Sequence, residues 1–125
     1  MSRPPEDPPS TVRPRFKLWL SSEEAKGVFG DGKWRLLKAI EHEGSLRAAT
    51  EALGISYRKA WGDLRKAENA LGVKLIERHR GGTEGGETHL TDAGKQWVAA
   101  YGRFRSKIEE VVTREFERQI VKKCK

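Results

Sequence analysis

Along RFKLWLS (15–21) apolar and polar positions alternate, with Phe16, Leu18 and Leu20 on one side and Lys17 and Trp19 on the other, the period of a half-buried strand. GVFGDG (27–32) reads as a loop that ends in a helix start: Asp31 is the expected N-cap, Leu36, Leu37 and Ile40 form the apolar stripe, and Gly44 stops the helix. In GSLRAATEALGIS, Ser45 is the expected cap of a second helix barely two turns long. Its packing face is read as Ala48, Ala49, Ala52 and Leu53, and Gly54 ends it. A third helix, about 56–71, starts at Ser56 and places Ala60, Leu64, Ala67 and Leu71 on one face. VKLIERHR (73–80) reads as a strand, with Val73, Leu75 and Glu77 alternating against Lys74 and Ile76, and ETHL (87–90) reads as its short return partner. Finally LTDAG opens a helix with Thr91 as N-cap and Asp92 in the first turn, where a negative charge suits the helix dipole.

Within that last helix Trp97, Tyr101, Phe104, Ile108 and Val111 step by 4, 3, 4 and 3, the seam of a coiled coil, and Val112, Phe116 and Ile120 continue it after a small register shift. A helix of roughly 30 residues spans roughly 45 Å, longer than a domain of this size covers alone, so the seam Trp97, Tyr101, Phe104, Ile108, Val111, Val112 and Phe116 is expected to form a homodimer. The fold class expected from these elements is mainly α with a small β-wing: a winged helix-turn-helix followed by a long C-terminal dimerisation helix. Residues 1–14, which hold all five prolines and are otherwise polar, are expected to be a disordered arm. Residues 15–90 then form the winged helix-turn-helix and 91–125 the linker and dimerisation helix.

Composition narrows the partners. A chain of 125 residues with 36% apolar and 34% charged residues is one ordinary domain with one modest core and a charged surface. A net charge of +7 and a pI near 9.8 ask for a polyanion, with an anionic membrane as the competing choice. The apolar runs are short and MSRPPEDPPS has no hydrophobic signal region, so neither a membrane span nor a secretory leader is expected, and the reading is cytoplasmic. The lone Cys124 fits a reducing compartment, and together with His42, His79 and His89 it has no metal-ligand spacing. No metal and no cofactor are expected.

Two stretches carry candidate chemistry. In RHRGGTEGGET (78–88) Gly81, Gly86 and Thr88 stand where a phosphate-gripping P-loop has its two glycines and hydroxyl, but Glu87 occupies the lysine position and would set negative charge against phosphate. The two Gly-Gly pairs instead suit a hairpin tip, which makes the stretch a wing with Arg78, His79 and Arg80 at its base. On the third helix Tyr57, Arg58, Trp61, Gly62 and Arg65 lie away from the core stripe with Lys59 and Lys66 on the flanks, and segment 56–80 holds seven basic residues against three acidic ones. A mixture of hydroxyl, aromatic and guanidinium groups supplies the donors and flat surfaces that base edges and phosphates require. On this reading Ser56, Tyr57, Arg58 and Trp61 face bases or sugars, and Arg47, Lys59, Arg65, Arg78, Arg80 and Thr83 hold phosphates of double-stranded DNA. A solvated charged face is the competing reading for the lysines, and packing at the edge of the core is the competing role for Trp61. With no nucleophile–base pair, metal cluster or intact phosphate loop, the chain is not read as an enzyme. A nonspecific architectural DNA- or RNA-binding protein, and a protein-interaction module built on the last helix, remain the alternatives.

The run GKWRLLKAIEHEGSLRAATEALGISYRKAWGDLRKAENALGVKLIERHRGGTEGGETHLTDAG resembles the N-terminal winged helix-turn-helix domain of ModE-type molybdate-responsive regulators, which is itself similar to the LysR-type DNA-binding domain. The likeness rests on GSLRAATEALGISYRKAW across the helix-turn-helix, GVKLIER entering the wing, the GG..GG tip and LTDAG, and it covers about residues 15–112. It implies a homodimer on operator DNA, each recognition helix in a major groove and each wing on the adjacent backbone. Nothing here matches the oxyanion-binding domains that follow the linker helix in that family. Molybdate sensing is therefore not carried over, and control is expected through abundance, a separate effector-sensing protein or another signal.

Overall fold

A helix can start where a side chain satisfies its first free backbone N–H groups, and three residues of this chain do so. Ser45 Oγ accepts from Ala48 N at 3.0 Å, Ser56 Oγ from Lys59 N at 3.1 Å, and Thr91 Oγ1 from Gly94 N at 2.9 Å. The computed structural model of the chain describes residues 12–79 and 87–122. Its elements in order are β1 (Trp19–Leu20), β2 (Phe29–Gly30), α1 (Asp31–Glu43), α2 (Leu46–Leu53), α3 (Tyr57–Leu71), β3 (Ile76–His79), β4 (Glu87–Leu90) and α4 (Asp92–Phe116), which continues as a π-helical stretch over Glu117–Val121. β1 pairs antiparallel with β2, and β3 with β4 in the register Ile76 to Leu90 through His79 to Glu87. This is a winged-helix arrangement of mainly helical elements with a small hairpin wing and a long last helix. Residues 18–102 form one compact unit, and residues 12–17 with 103–122 form another.

The core of the first unit gathers one stripe from each helix. Leu36, Leu37 and Ile40 of α1 meet Leu46 and Ala49 of α2, Ala60, Leu64 and Ala67 of α3, and Leu75, Ile76 and Leu90 around the hairpin. Phe29, fully buried, stacks its ring 5.0 Å from Trp97 and 5.1 Å from Tyr101. α1, α2 and α3 each end at a left-handed glycine: Gly44, Gly54 and Gly72.

Several expectations need correction. Asp31 is the first residue of α1 rather than its cap; Gly30 holds the cap position, and the Asp31 carboxylate turns inward to accept from Leu18 N at 3.2 Å and from the Tyr101 hydroxyl at 2.8 Å. Part of the expected loop GVFGDG is strand β2, because Phe29 is drawn into the core and its backbone pairs with Leu20. The expected strand at 15–21 shrinks to two residues, although the alternation of half-buried Phe16, Leu18 and Leu20 with exposed Lys17 and Trp19 persists. The buried face of α2 is Leu46, Ala49 and Thr50, not Ala48, Ala52 and Leu53: Thr50 satisfies its hydroxyl on Arg47 O at 2.8 Å and so can lie inside. Leu75 and Ile76 are both buried while Val73 is exposed, since the chain is still bending into β3 there and strict alternation has not begun. Trp97 and Tyr101, the first two positions of the expected dimer seam, pack inside their own unit. Tyr101 is 2% exposed, and Trp97 is half-buried against Phe29.

Candidate nucleic-acid interface

The turn between α2 and α3 is short because Gly54 adopts φ 69° and its N–H closes on Thr50 O and Glu51 O. Ile55 N then bonds Thr50 O at 3.0 Å, and two residues after Gly54 the Ser56 cap begins α3. Alanines 49, 60 and 67 keep the helices close without bulk between them. The consequence is local: the start of α2 and the first two turns of α3 present their side chains to one region.

In that region arginines from three elements gather on two aromatic rings. The Arg47 guanidinium, from α2, lies 4.7 Å from the Tyr57 ring centroid. Arg65 of α3 and Arg78 of β3 lie 5.5 and 5.0 Å from the Trp61 ring. Arg78 also donates to the Tyr57 hydroxyl at 3.1 Å, so strand β3 is joined by a hydrogen bond to the first residue of α3. Tyr57 and Trp61 are half-buried and pack against the core with their inner edges, while the three arginines are exposed. Guanidinium on an aromatic face is held by the ring quadrupole and keeps its in-plane N–H groups free for oxygen acceptors. The arrangement thus brings three cationic donor groups together, chemically suited to phosphate.

Two buried polar side chains hold the wing hairpin against this surface. Glu68, 7% exposed on the inner side of α3, accepts from Leu75 N at 2.8 Å and Ile76 N at 3.3 Å, which fixes where β3 leaves the helix. Thr88 of β4, 4% exposed, accepts from Leu46 N at 3.2 Å through Oγ1, and its own N–H donates to Gly44 O at 3.0 Å. The hydroxyl that superficially fitted a P-loop therefore pins a strand to the α1–α2 turn. Sequence reasoning missed both anchors. A signal existed for Glu68: it sits four residues after Leu64, on the buried side of the stripe, where a charged group requires partners. Thr88 carried none, since its partners lie about 42 residues away.

The expected site residues fall into three groups. Arg47, Tyr57, Trp61, Arg65 and Arg78 are brought together as described, and Trp61 packs at the core edge while still facing two guanidiniums. Ser56 uses its Oγ as the cap of α3, and Lys59 is ion-paired with Asp63 at 2.8 Å. Arg58 is exposed on the first turn of α3. Arg80, Thr83 and the glycine tip of the wing lie outside the described residues, as does most of the arm expected at 1–14. In the other unit, Phe104 and Val111 of the expected seam are 48% and 44% exposed, and Ile108, Val112 and Phe116 are half-buried. Among the described residues no group of three or more His, Cys, Asp or Glu side chains could hold a metal ion, and no helix is long and apolar enough to cross a membrane.

Comparison with known proteins follows the same lines. Residues 32–95 match the model of the bacterial regulatory helix-turn-helix proteins of the lysR family. The molybdenum transport protein ModE of Azotobacter vinelandii is 38% identical over 105 residues, which are 83% of this chain and 39% of that protein. The molybdenum-pterin-binding protein MopB of Rhodobacter capsulatus is 34% identical over 98 residues, 78% of this chain and 36% of that protein. The chain thus spans less than half the length of these curated relatives. Among solved structures, a chain of the CbnR_DBD–DNA complex is similar in fold, with a TM-score of 0.55 at 24% identity over 67% of this chain and 91% of that one.

Proposed function

The chain belongs to the lysR family of bacterial regulatory helix-turn-helix proteins, and we propose that it is a sequence-specific DNA-binding transcriptional regulator acting as a homodimer, α3 entering the major groove and the β3–β4 wing lying on the adjacent backbone. The observation that carries this reading is the gathering of the exposed Arg47, Arg65 and Arg78, from α2, α3 and β3, over the rings of Tyr57 and Trp61. A helix that meets a groove needs cations on both flanks to fix its register on the phosphates, and these three elements supply them. Arg80 and Thr83 extend the backbone contact through the wing, and Lys59 adds to it once DNA competes with Asp63.

Dimerisation is assigned to Phe104, Ile108, Val111, Val112 and Phe116 of α4. Phe104 and Val111 are exposed and Ile108, Val112 and Phe116 half-buried, and large apolar side chains left in contact with water at coiled-coil spacing are best covered by a second copy of the same helix. Molybdate forms no part of this reading: the names of the relatives concern molybdenum, but the chain spans only 39% of ModE and 36% of MopB.

The test is a selection of genomic fragments by the purified protein at about physiological salt, followed by sequencing of what is retained. An enriched inverted repeat with half-sites one or more helical turns apart is the expected result. Retention without a shared sequence would instead make this a nonspecific architectural protein. If about seven phosphates are neutralised, affinity falls by about 10³ or more between about 50 and 200 mM salt.

A further inference from the structure

Resting on the reading of α3 as the groove-entering helix, we infer that base readout in each half-site is carried by Arg58 and selects a guanine, whereas Tyr57 and Trp61 are positioning residues that support phosphate-gripping arginines. Away from the core stripe, the other positions at the start of α3 are already engaged or carry no side chain. Ser56 Oγ accepts the Lys59 N–H as the helix cap. The Tyr57 ring faces Arg47 at 4.7 Å, and its hydroxyl accepts from Arg78 at 3.1 Å. Trp61 is flanked by Arg65 at 5.5 Å and Arg78 at 5.0 Å. Lys59 is held by Asp63 at 2.8 Å, and Gly62 has no side chain to offer. Arg58 stands apart: it is exposed on the first helical turn and, among the described residues, makes no hydrogen bond, ion pair or ring contact.

The chemistry of that free group selects the base. A guanidinium presents two parallel N–H donors, and guanine offers two acceptors, O6 and N7, side by side in the major groove. Adenine sets an N6 donor beside N7, which opposes the second N–H, and cytosine presents a donor. The other arginines are differently placed. Their guanidinium carbons stand 4.7, 5.5 and 5.0 Å from the Tyr57 and Trp61 ring centroids, and the hydrogen bond from Arg78 to the Tyr57 hydroxyl joins the wing strand to the helix. Tyr57 therefore acts on DNA through Arg78.

The experiment repeats the fragment selection with the full chain and with Arg58→Ala, Arg58→Lys, Tyr57→Phe, Arg78→Ala and the Tyr57→Phe/Arg78→Ala double variant, and adds titration of each against the enriched site and random DNA. Wild type is expected to enrich a half-site with one fixed G·C pair. Arg58→Ala loses discrimination at that pair alone, by about 10- to 100-fold. Arg58→Lys keeps its affinity for random DNA but not the discrimination, because a single ammonium cannot make the paired contact. Tyr57→Phe weakens binding to all sequences alike, by about three- to tenfold, without changing the preferred bases, and adds nothing further in the Arg78→Ala background. Two results would overturn the assignment while leaving the regulator reading intact: an unchanged preference in Arg58→Ala, or a changed preference in Tyr57→Phe. Wild-type protein that enriches no shared sequence would overturn both.

Discussion

Two stretches of α4 carry apolar residues at the same coiled-coil spacing and have opposite surroundings. In the first, Trp97 and Tyr101 are covered by their own unit: Phe29 packs on both rings, Trp34 lies 5.7 Å from Tyr101, and the Tyr101 hydroxyl is 2.8 Å from Asp31 Oδ1 and 2.9 Å from Leu18 O. In the second, Phe104 and Val111 are nearly half exposed. A heptad pattern states which side of a helix must be covered and leaves open by what. An aromatic that packs within its own unit is no longer available to a seam, whereas an apolar residue left exposed on the helix still is.

The largest effect that would sharpen this contrast is expected from the buried stretch. Tyr101→Ala removes a nearly fully buried ring and one hydrogen bond to Asp31, so unfolding free energy should fall by about 3–5 kcal/mol in urea titrations. A loss below about 1 kcal/mol would show that Tyr101 is not core. Next comes Gly94, in the same stretch, where an added Cβ would stand 2.2 Å from Leu75 O; the backbone is too close to give way cheaply. Gly94→Ala is expected to cost about 1–3 kcal/mol in the same assay, and a neutral result would break the account of how α4 starts against the wing.

The exposed stretch should behave in the opposite way. Phe104→Asp combined with Val111→Asp should change the stability of the monomeric fold by no more than about 0.5 kcal/mol, yet abolish self-association in sedimentation experiments. A wild-type protein that sediments as a monomer, or a double variant that still self-associates, would remove the dimer role from this seam. The smallest effect belongs to Glu115, whose carboxyl is held below its ordinary value by hydrogen bonds from Gln119 first and Arg118 second. A lowered folded-state pKa means that the stabilisation is present at neutral pH and is lost as pH falls through that lowered value. Glu115→Ala should therefore reduce the helicity of this exposed stretch slightly at neutral pH by circular dichroism, and the difference from wild type should vanish in acid below the carboxylate range. A difference that persisted in acid would assign the effect to helix propensity rather than charge.

How far the fold could be read from the residues depended on how far away each residue's partner lies. Ser45, Ser56 and Thr91 were legible as caps because the N–H they accept is three residues on, and Gly44 and Gly54 as stops because the left-handed conformation is a property of one residue. Asp31 looked like a cap for the same reason and was misassigned, since its partners Leu18 and Tyr101 come from 13 and 70 positions away. The candidate interface shows the same division. That α3 turns basic and aromatic groups outward was readable from helical spacing. That Tyr57 and Trp61 hold arginines of α2, α3 and β3, while Arg58 has no partner among the described residues, was not.

The order of the four helices and the β3–β4 hairpin, the caps of α2, α3 and α4, the stops of α1 and α2, the basic face of α3 and the apolar seam of α4 could thus be read from the sequence alone, because period, capping and glycine conformation act within a few residues. The tertiary structure alone decided which members of each pattern are occupied: it buried Tyr101 and Asp31 together, set Thr88 across the α1–α2 turn, and gathered three arginines on two rings. The physical reason is that burial, stacking and ion pairing are contacts between segments remote in the chain, and nothing in local spacing says which segments will meet.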